Sequence, residues 1–462
     1  MPRFLCAKPD SRLLPLPWDV PLAEWPTENL VALPRGISRH VVRFIKIGGD
    51  VYAAKEVVEH LAIHEYRLLQ DLRRLGEPSV EPIGVVTGRL DKDGQPLDPI
   101  LLTRHLEFAL PYRSLFTPGI RRDTAMRLID AMVVLIARLH LAGFMWGDVS
   151  LSNVLFRRDA GEFAAYLVDA ETGELHDKLT EGQRENDLEV GRINIFGDFN
   201  DLSAGGMLDP TWDPMELLKL IDQRYNDLWN ELTGVEEFSG SEADRIESRV
   251  RRLNALGFDV AELDIITSPD GETIQIQPKV VDAGHHSRRL LRLTGLDAEE
   301  NQARRLLNDM DTYIARRNKQ HVDEAVMAHE WLTQQFEPVI NRIPSEYHAK
   351  RDPAQLYHEL LEYRWYKSQN EFREVPMTEA IDGYVRDVLA KLPDEKMTDI
   401  DSPDRARKLV NPYDPSLGYE DDTDTLPPVV DPWEQAAEEV DLRRLNHLDI
   451  DALRKKAKGS ES

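Results

Sequence analysis

Cysteine is almost missing from this 462-residue chain; Cys6 is the only one. That excludes internal disulfides and any cysteine-based zinc site. No apolar run approaches the roughly 18 residues of a membrane span, and the opening "MPRFLCAKPDSRLLPLPWDV" lacks the continuous apolar core of a secretion signal. These absences lead to the expectation of a cytoplasmic protein with no membrane span. Positive charge is also scarce, with 57 Lys and Arg against 83 Asp and Glu, a formal net charge of -26. Such a chain repels nucleic-acid phosphates and anionic membrane faces. General nucleic-acid binding is therefore not expected, and any phosphate must be handled locally, by a few converging donors or by magnesium.

What is present is a soluble, globular composition, 41% apolar and 30% charged, in a chain too long for one ordinary core. Residues 1–28 read as an N-terminal extension. From 29 to 110 the pattern is a small strand-rich lobe: "NLVAL", "HVVRFIKI" and "VYAAKEV", then a helix from Glu59 to Arg74, then "VEPIGVV" and "PILLTRHL". The "GGD" between the second and third strands is a hairpin signal, since Gly tolerates positive φ. Leu61, Leu68, Leu69, Leu72 and Leu75 recur at helical spacing and are expected to face a core. From 111 to 240 the period is mostly helical, led by "DTAMRLIDAMVVLIARLHLAG", with an acidic N-cap and a Gly stop. Residues 241–393 read as a further, mainly helical region containing the helix "EADRIESRVRRLNALG" and the hairpin "VAELDIITSPDGETIQIQPKVV". It continues with long helices such as "NQARRLLNDMDTYIARRNKQHVDEAVMAHEWLTQQF". Residues 394–462 form an acidic, Pro-rich tail ending in a short helical patch.

Four chemical signals follow one another along this layout. Lys55 lies on the third strand and Glu65 on the helix behind it. Asp148 and Asn153 share a loop in "LHLAGFMWGDVSLSNVLF", and Asp169 ends the strand "YLVDAE". Each has an ordinary reading: a surface ion pair for Lys55 and Glu65, turn chemistry for Asp148 and Asn153, a strand terminus for Asp169. Their order is what points beyond these readings.

In that order they resemble the protein-kinase-like superfamily over about residues 29 to 235, which implies an α+β, bilobal fold with a strand-rich N-lobe and a helical C-lobe, followed by a mainly helical C-terminal domain. The resemblance implies ATP and magnesium as cofactors. Lys55, held by Glu65, would neutralise nucleotide phosphates, Asp148 would orient the acceptor hydroxyl, and Asn153 and Asp169 would hold the metal. The glycine-rich loop is poor, with Gly36 alone in "PRGISRH", so Ser38, backbone amides and Arg35 or Arg39 would cover the phosphates. "WGD" and "DAE" look more like the aminoglycoside, choline and lipopolysaccharide-sugar kinases than like regulated protein kinases, and make Glu171 an additional candidate metal ligand. No lysine follows Asp148 at the second position. These features favour a small-molecule or glycan hydroxyl as acceptor. The whole chain also resembles bacterial lipopolysaccharide-kinase-like proteins with a C-terminal domain of unknown function, through "RYNDLWNELT" and "YHELLEYRWYKSQNEF". A serine/threonine protein kinase, a nucleotide-binding pseudokinase recruiting a protein through the C-terminal domain or tail, and transfer of AMP are the competing readings.

Remaining features have milder readings. Asp187 is expected to anchor the catalytic loop. His60 and His64 lie one helical turn apart without a third metal ligand. Arg288, Arg289, Arg292, Arg304, Arg305, Arg316 and Arg317 read either as helix faces paired with acids or as an anion-binding surface. Tyr357, Tyr363, Trp365 and Tyr366 read as core or interface residues.

Overall fold

The computed structural model describes residues 2–31, 33, 40–116, 120–234, 236–239, 258–267, 273–317, 319 and 322–396, with backbone only for the strands at 236–239, 258–267 and 273–283. The helix expected in 241–256, most of the tail, and the loop holding Gly36 and Ser38 lie outside the described residues.

The N-terminal sheet has six antiparallel strands, not the five expected, in the order β1-β5-β6-β4-β3-β2. These are β1 (Arg3–Leu5), β2 (Leu30–Val31), β3 (Val41–Ile47), β4 (Asp50–Glu56), β5 (Glu81–Thr87) and β6 (Ile100–Arg104). The additional strand comes from the N-terminal extension, whose Leu13, Leu16, Trp18, Leu22 and Trp25 pack with Ile45, Tyr52, Ile100 and Leu102 in a core of their own. Buried Arg89 holds this segment, donating to the carbonyl of Trp18 while pairing with Glu56. Between β3 and β4, Gly48 and Gly49 both take positive φ, 59° and 99°, as a two-residue turn requires.

Behind the sheet, α1 (Glu59–Leu75) buries Glu65, Leu68, Leu69 and Leu72. Leu75 departs from expectation: it is the helix's last residue and stays 48% exposed. Leu61 is only partly buried, against a small cluster with Val57, Ala62 and Tyr66.

The second lobe is built on β7 (Leu110–Pro111), α2 (Tyr112–Leu115), α3 (Arg122–Leu141), β8 (Phe144–Met145), β9 (Val154–Asp159), β10 (Glu162–Leu167), β11 (Glu174–Leu175), α4 (Glu181–Ala204) and α5 (Pro214–Thr233). α3 is buried on most of its surface, as its composition required. Asp123 is not its N-cap; the helix begins at Arg122, and Asp123 sits in the first turn, where its charge still favours the helix dipole. α4 opens on a capping box formed by Thr180 and Gln183.

The chain continues through β12 (Glu236–Ser239), β13 (Phe258–Thr267) and β14 (Thr273–Ala283), a sheet with β14 in the middle. Helices His285–Thr294, Glu300–Arg316, Glu324–Trp331, Pro353–Glu371 and Met377–Asp387 then surround a separate core containing Trp331, Phe336 and Tyr357. The long helix expected from 301 to 336 breaks after Arg316, and Asp323 caps its continuation by accepting from Ala325 N–H at 3.0 Å. The two folded parts touch at the tip of the β9–β10 hairpin, among other places.

Candidate active site

A cavity of about 510 Å³ separates the sheet from the helical lobe, with Lys55, Glu65, Asp148, Asn153 and Asp169 on its wall. Strand alternation aims Lys55 there. Tyr52 and Ala54 of β4 enter the core of the N-terminal extension, while Ala53 and Lys55 line the cavity. Glu65 shares the buried face of α1 with Leu69 and Leu72. The Lys55 ammonium lies 3.0 Å from Glu65 Oε2, 2.8 Å from Asp169 Oδ2 and 2.9 Å from Glu171 Oε2. His40 Nε2 is 2.8 Å from the same Glu171 oxygen.

These groups perturb one another. Burial works against the Lys55 charge, but Glu65 and Asp169, with hydrogen bonds to Asp169 and Glu171, hold its pKa above the ordinary lysine value. Burial, reinforced by the Asp169 charge, pushes the Glu65 carboxyl up to about 8, and Lys55 offsets only part of this. With Glu65 holding its proton near neutral pH, Asp169 and Glu171 still give two carboxylates beside a single ammonium. Oxygens of Glu65, Asp169 and Glu171 lie within 4.8 Å of one another, and among the described residues no other His, Cys, Asp or Glu group is so placed for a metal. Hard oxygen donors with surplus negative charge suit Mg²⁺, and the apolar wall formed by Val42, Ala53, Leu101 and Leu106 suits a flat base. The residues present therefore fit a magnesium–nucleotide complex. His64 Nε2 lies 2.9 Å from the Gly173 carbonyl, and His60 is exposed.

The Asp148 loop is held from below. Asp187, fully buried, accepts from the backbone N–H of Trp146 at 2.8 Å and of Gly147 at 2.7 Å, and lies 3.0 Å from His140 Nε2. Gly147 has φ +75°, and a Cβ there would meet the Thr172 carbonyl at 2.8 Å, so the position before Asp148 requires glycine. Asp187→Ala would strand two buried N–H groups at about 1–3 kcal/mol each. Chemical denaturation of this variant is expected to show a loss of about 3 kcal/mol or more; a loss below about 1 kcal/mol would deny the anchoring role.

Both Asp148 oxygens are engaged. Asn153 Nδ2 donates to Oδ2 at 3.1 Å and to the Asp148 carbonyl at 3.1 Å. Asn194 Nδ2 donates to Oδ1 at 2.9 Å. Asp198, one turn further along α4, accepts the Leu151 N–H at 2.8 Å, and burial pushes its carboxyl up to about 6. Asn194 and Asp198 escaped the sequence reading. Their signal was the spacing of Asp187, Asn194 and Asp198 in "NDLEVGRINIFGDF", which puts three polar side chains on one face of a helix.

Elsewhere, Arg289, Arg305 and Arg317 pair with Glu324, Glu362 and Glu330, as helix faces matched with acids would. Tyr357 is buried and donates to Asp309, and Tyr363 donates to Asp387. Trp365 is 49% exposed. No described helix is long and apolar enough to cross a membrane.

Residues 40–191 match the "Lipopolysaccharide kinase (Kdo/WaaP) family", and residues 227–389 match "Domain of unknown function (DUF4032)". The two matched segments follow one another along the chain. A solved structure, "WaaP in complex with acyl carrier protein", is 16% identical over 49% of this chain and 99% of its own, with a TM-score of 0.30. No curated protein matches the chain.

Proposed function

We propose that the protein is an ATP- and Mg²⁺-dependent phosphotransferase that acts on a hydroxyl of a small molecule or glycan. The observation that carries this reading is Lys55 Nζ, held by both Glu65 and Asp169, on the wall of the same cavity as Asp148 and Asn153. The lipopolysaccharide-kinase match over residues 40–191 supports the acceptor class. A compartment supplying ATP, the cytoplasm, belongs to the same reading.

Bound Mg²⁺–ATP would supply the phosphoryl group and neutralise its developing charge. The protein's part is alignment and electrostatics. Lys55, fixed by Glu65, would meet the nonreacting phosphates. Asp169 and Asn153 would hold the metal, with Glu171 beside them. Asp148, whose two oxygens are fixed by Asn153 and Asn194, would orient the acceptor hydroxyl and take its proton.

Thermal unfolding provides the test. At a Mg²⁺–ATP concentration of about 100 times Kd, the native protein is expected to gain about 2.7 kcal/mol, with little gain when magnesium is chelated. No shift at millimolar nucleotide would remove the proposal. With labelled ATP and cell lysate, label is expected in small solutes or glycans; label in proteins would favour a protein kinase.

A further inference from the structure

The β9–β10 hairpin has two ends with different surroundings. At its open end, Asn153 immediately precedes β9 and Asp169 follows shortly after β10, with Val168 N–H donating to the Asn153 carbonyl at 3.1 Å. Both candidate metal ligands therefore depart from one pair of strands. The closed end is buried on its β9 side, although hairpin tips ordinarily face water: Asp159 is 3% exposed and Ala160 1%, while Gly161 and Glu162 on the β10 side stay exposed.

The cover is the C-terminal domain. The Asp159 carboxylate accepts the backbone N–H of Asn301 at 3.1 Å and of Gln302 at 2.8 Å, and the Asn301 side-chain amide at 2.8 Å. It therefore satisfies the opening amides of the helix Glu300–Arg316, which have no partners within the helix. Gln302, fully buried, returns a bond to the Arg158 carbonyl at 3.0 Å. Gln355 accepts from Ala160 N–H at 3.0 Å. Glu299 accepts from Tyr166 OH at 2.8 Å and pairs with Arg157 at 2.9 Å. The hairpin is thus gripped on both strands and across its turn.

We propose that the C-terminal domain is an intramolecular clamp on this hairpin, in which Asp159 and Glu299 are positioning residues that set where Asn153 and Asp169 stand. The inference rests on the phosphotransferase reading above. Each strand of the hairpin has six residues, about 20 Å of stiff ladder. In a close-packed interior, a tilt imposed at the tip is carried to the other end. A misplacement of about 1 Å at a reacting centre can cost about 10²-fold, so a remote grip of this kind reaches the chemistry.

The test uses the full chain and three variants: Asp159→Ala, Tyr166→Phe, and Tyr363→Phe. The last removes a hydrogen bond to Asp387 inside the C-terminal domain, away from the hairpin. Two quantities are read: the Mg²⁺ midpoint for stabilisation by a nonhydrolysable ATP analogue, and hydrogen exchange at the Val168 amide. Asp159→Ala is expected to raise the Mg²⁺ midpoint about tenfold, as a remote change that misplaces the ligands can, and to speed Val168 exchange. Tyr166→Phe should move both in the same direction by less, and Tyr363→Phe should move neither. The clamp is refuted if the hairpin variants lower thermal stability but leave both quantities at native values, or if Tyr363→Phe shifts them equally. Should Asp159→Ala fail to fold, Tyr166→Phe decides by the same criteria. A native protein with no Mg²⁺-dependent nucleotide response overturns the phosphotransferase reading and the clamp with it. Failure of the clamp alone leaves that response intact.

Discussion

Asp148→Asn is expected to lower turnover by about 10²- to 10⁴-fold, the usual loss when a general base is removed, while the KM for ATP stays within about twofold. The replacement keeps the side chain's shape but removes its charge and one of its two acceptors. The opposing amide donors from Asn153 and Asn194 can then satisfy only one oxygen between them. In the proposed role Asp148 acts only once a hydroxyl attacks, so nucleotide binding should not register the change. Steady-state kinetics separate the outcomes: equal losses in kcat and kcat/KM fit the assigned role, whereas a selective rise in KM would move Asp148 to nucleotide binding.

Asp169→Ala is expected to remove Mg²⁺-dependent stabilisation by nucleotide, and with it the gain of about 2.7 kcal/mol at 100 times Kd. The protein without nucleotide should lose little stability, because Lys55 keeps Glu65 and Glu171 as partners. A pH effect should accompany the change. Glu65 is pushed from 4.5 up to about 8 in the folded protein by burial and by the Asp169 charge. Between those values the folded state holds a proton that the unfolded chain has released. Stability from this group is therefore full below about 4.5 and is lost as pH rises through about 8. Without Asp169 the upward push weakens, so the decline in melting temperature between pH 5 and 8 should be shallower in the variant. An unchanged magnesium response in Asp169→Ala would be inconsistent with its place at the metal.

Much of this arrangement was legible in the chain because it is local or periodic. Gly48 and Gly49 specify a turn, the turn fixes the register of β3 and β4, and alternation along β4 then sends Lys55 to the side opposite Tyr52. Helical spacing likewise puts Glu65 on the buried face of α1 with Leu69 and Leu72. Asp187 was anticipated as an anchor, whereas Asn194 and Asp198 were not, although they share its helix face. Their work is done on a loop more than forty residues earlier in sequence, and α4 has no strong apolar stripe to announce which face is buried. The N-terminal extension was missed as part of the sheet for a similar reason. Its strand has three residues, too few to show a period, and its place is fixed by the pairing with β5 and by Arg89. Burial of Asp159 is likewise invisible locally, since "RRDAGEF" has the composition of a solvated hairpin tip.

The two families matched by the chain meet at that tip. Asp159 lies in the lipopolysaccharide-kinase-family segment, and Asn301 and Gln302 lie in the domain of unknown function. This contact gives the second domain a physical connection to the strands that end at Asn153 and Asp169.

The most direct measurement is a structure of the native protein with Mg²⁺ and a nonhydrolysable ATP analogue. The expected result is a phosphate oxygen within hydrogen-bond reach of Lys55 Nζ, the metal on Asp169 and Asn153, and the terminal phosphate facing Asp148. Nucleotide bound away from the cavity between the lobes, or a metal held without Asp169, would contradict it.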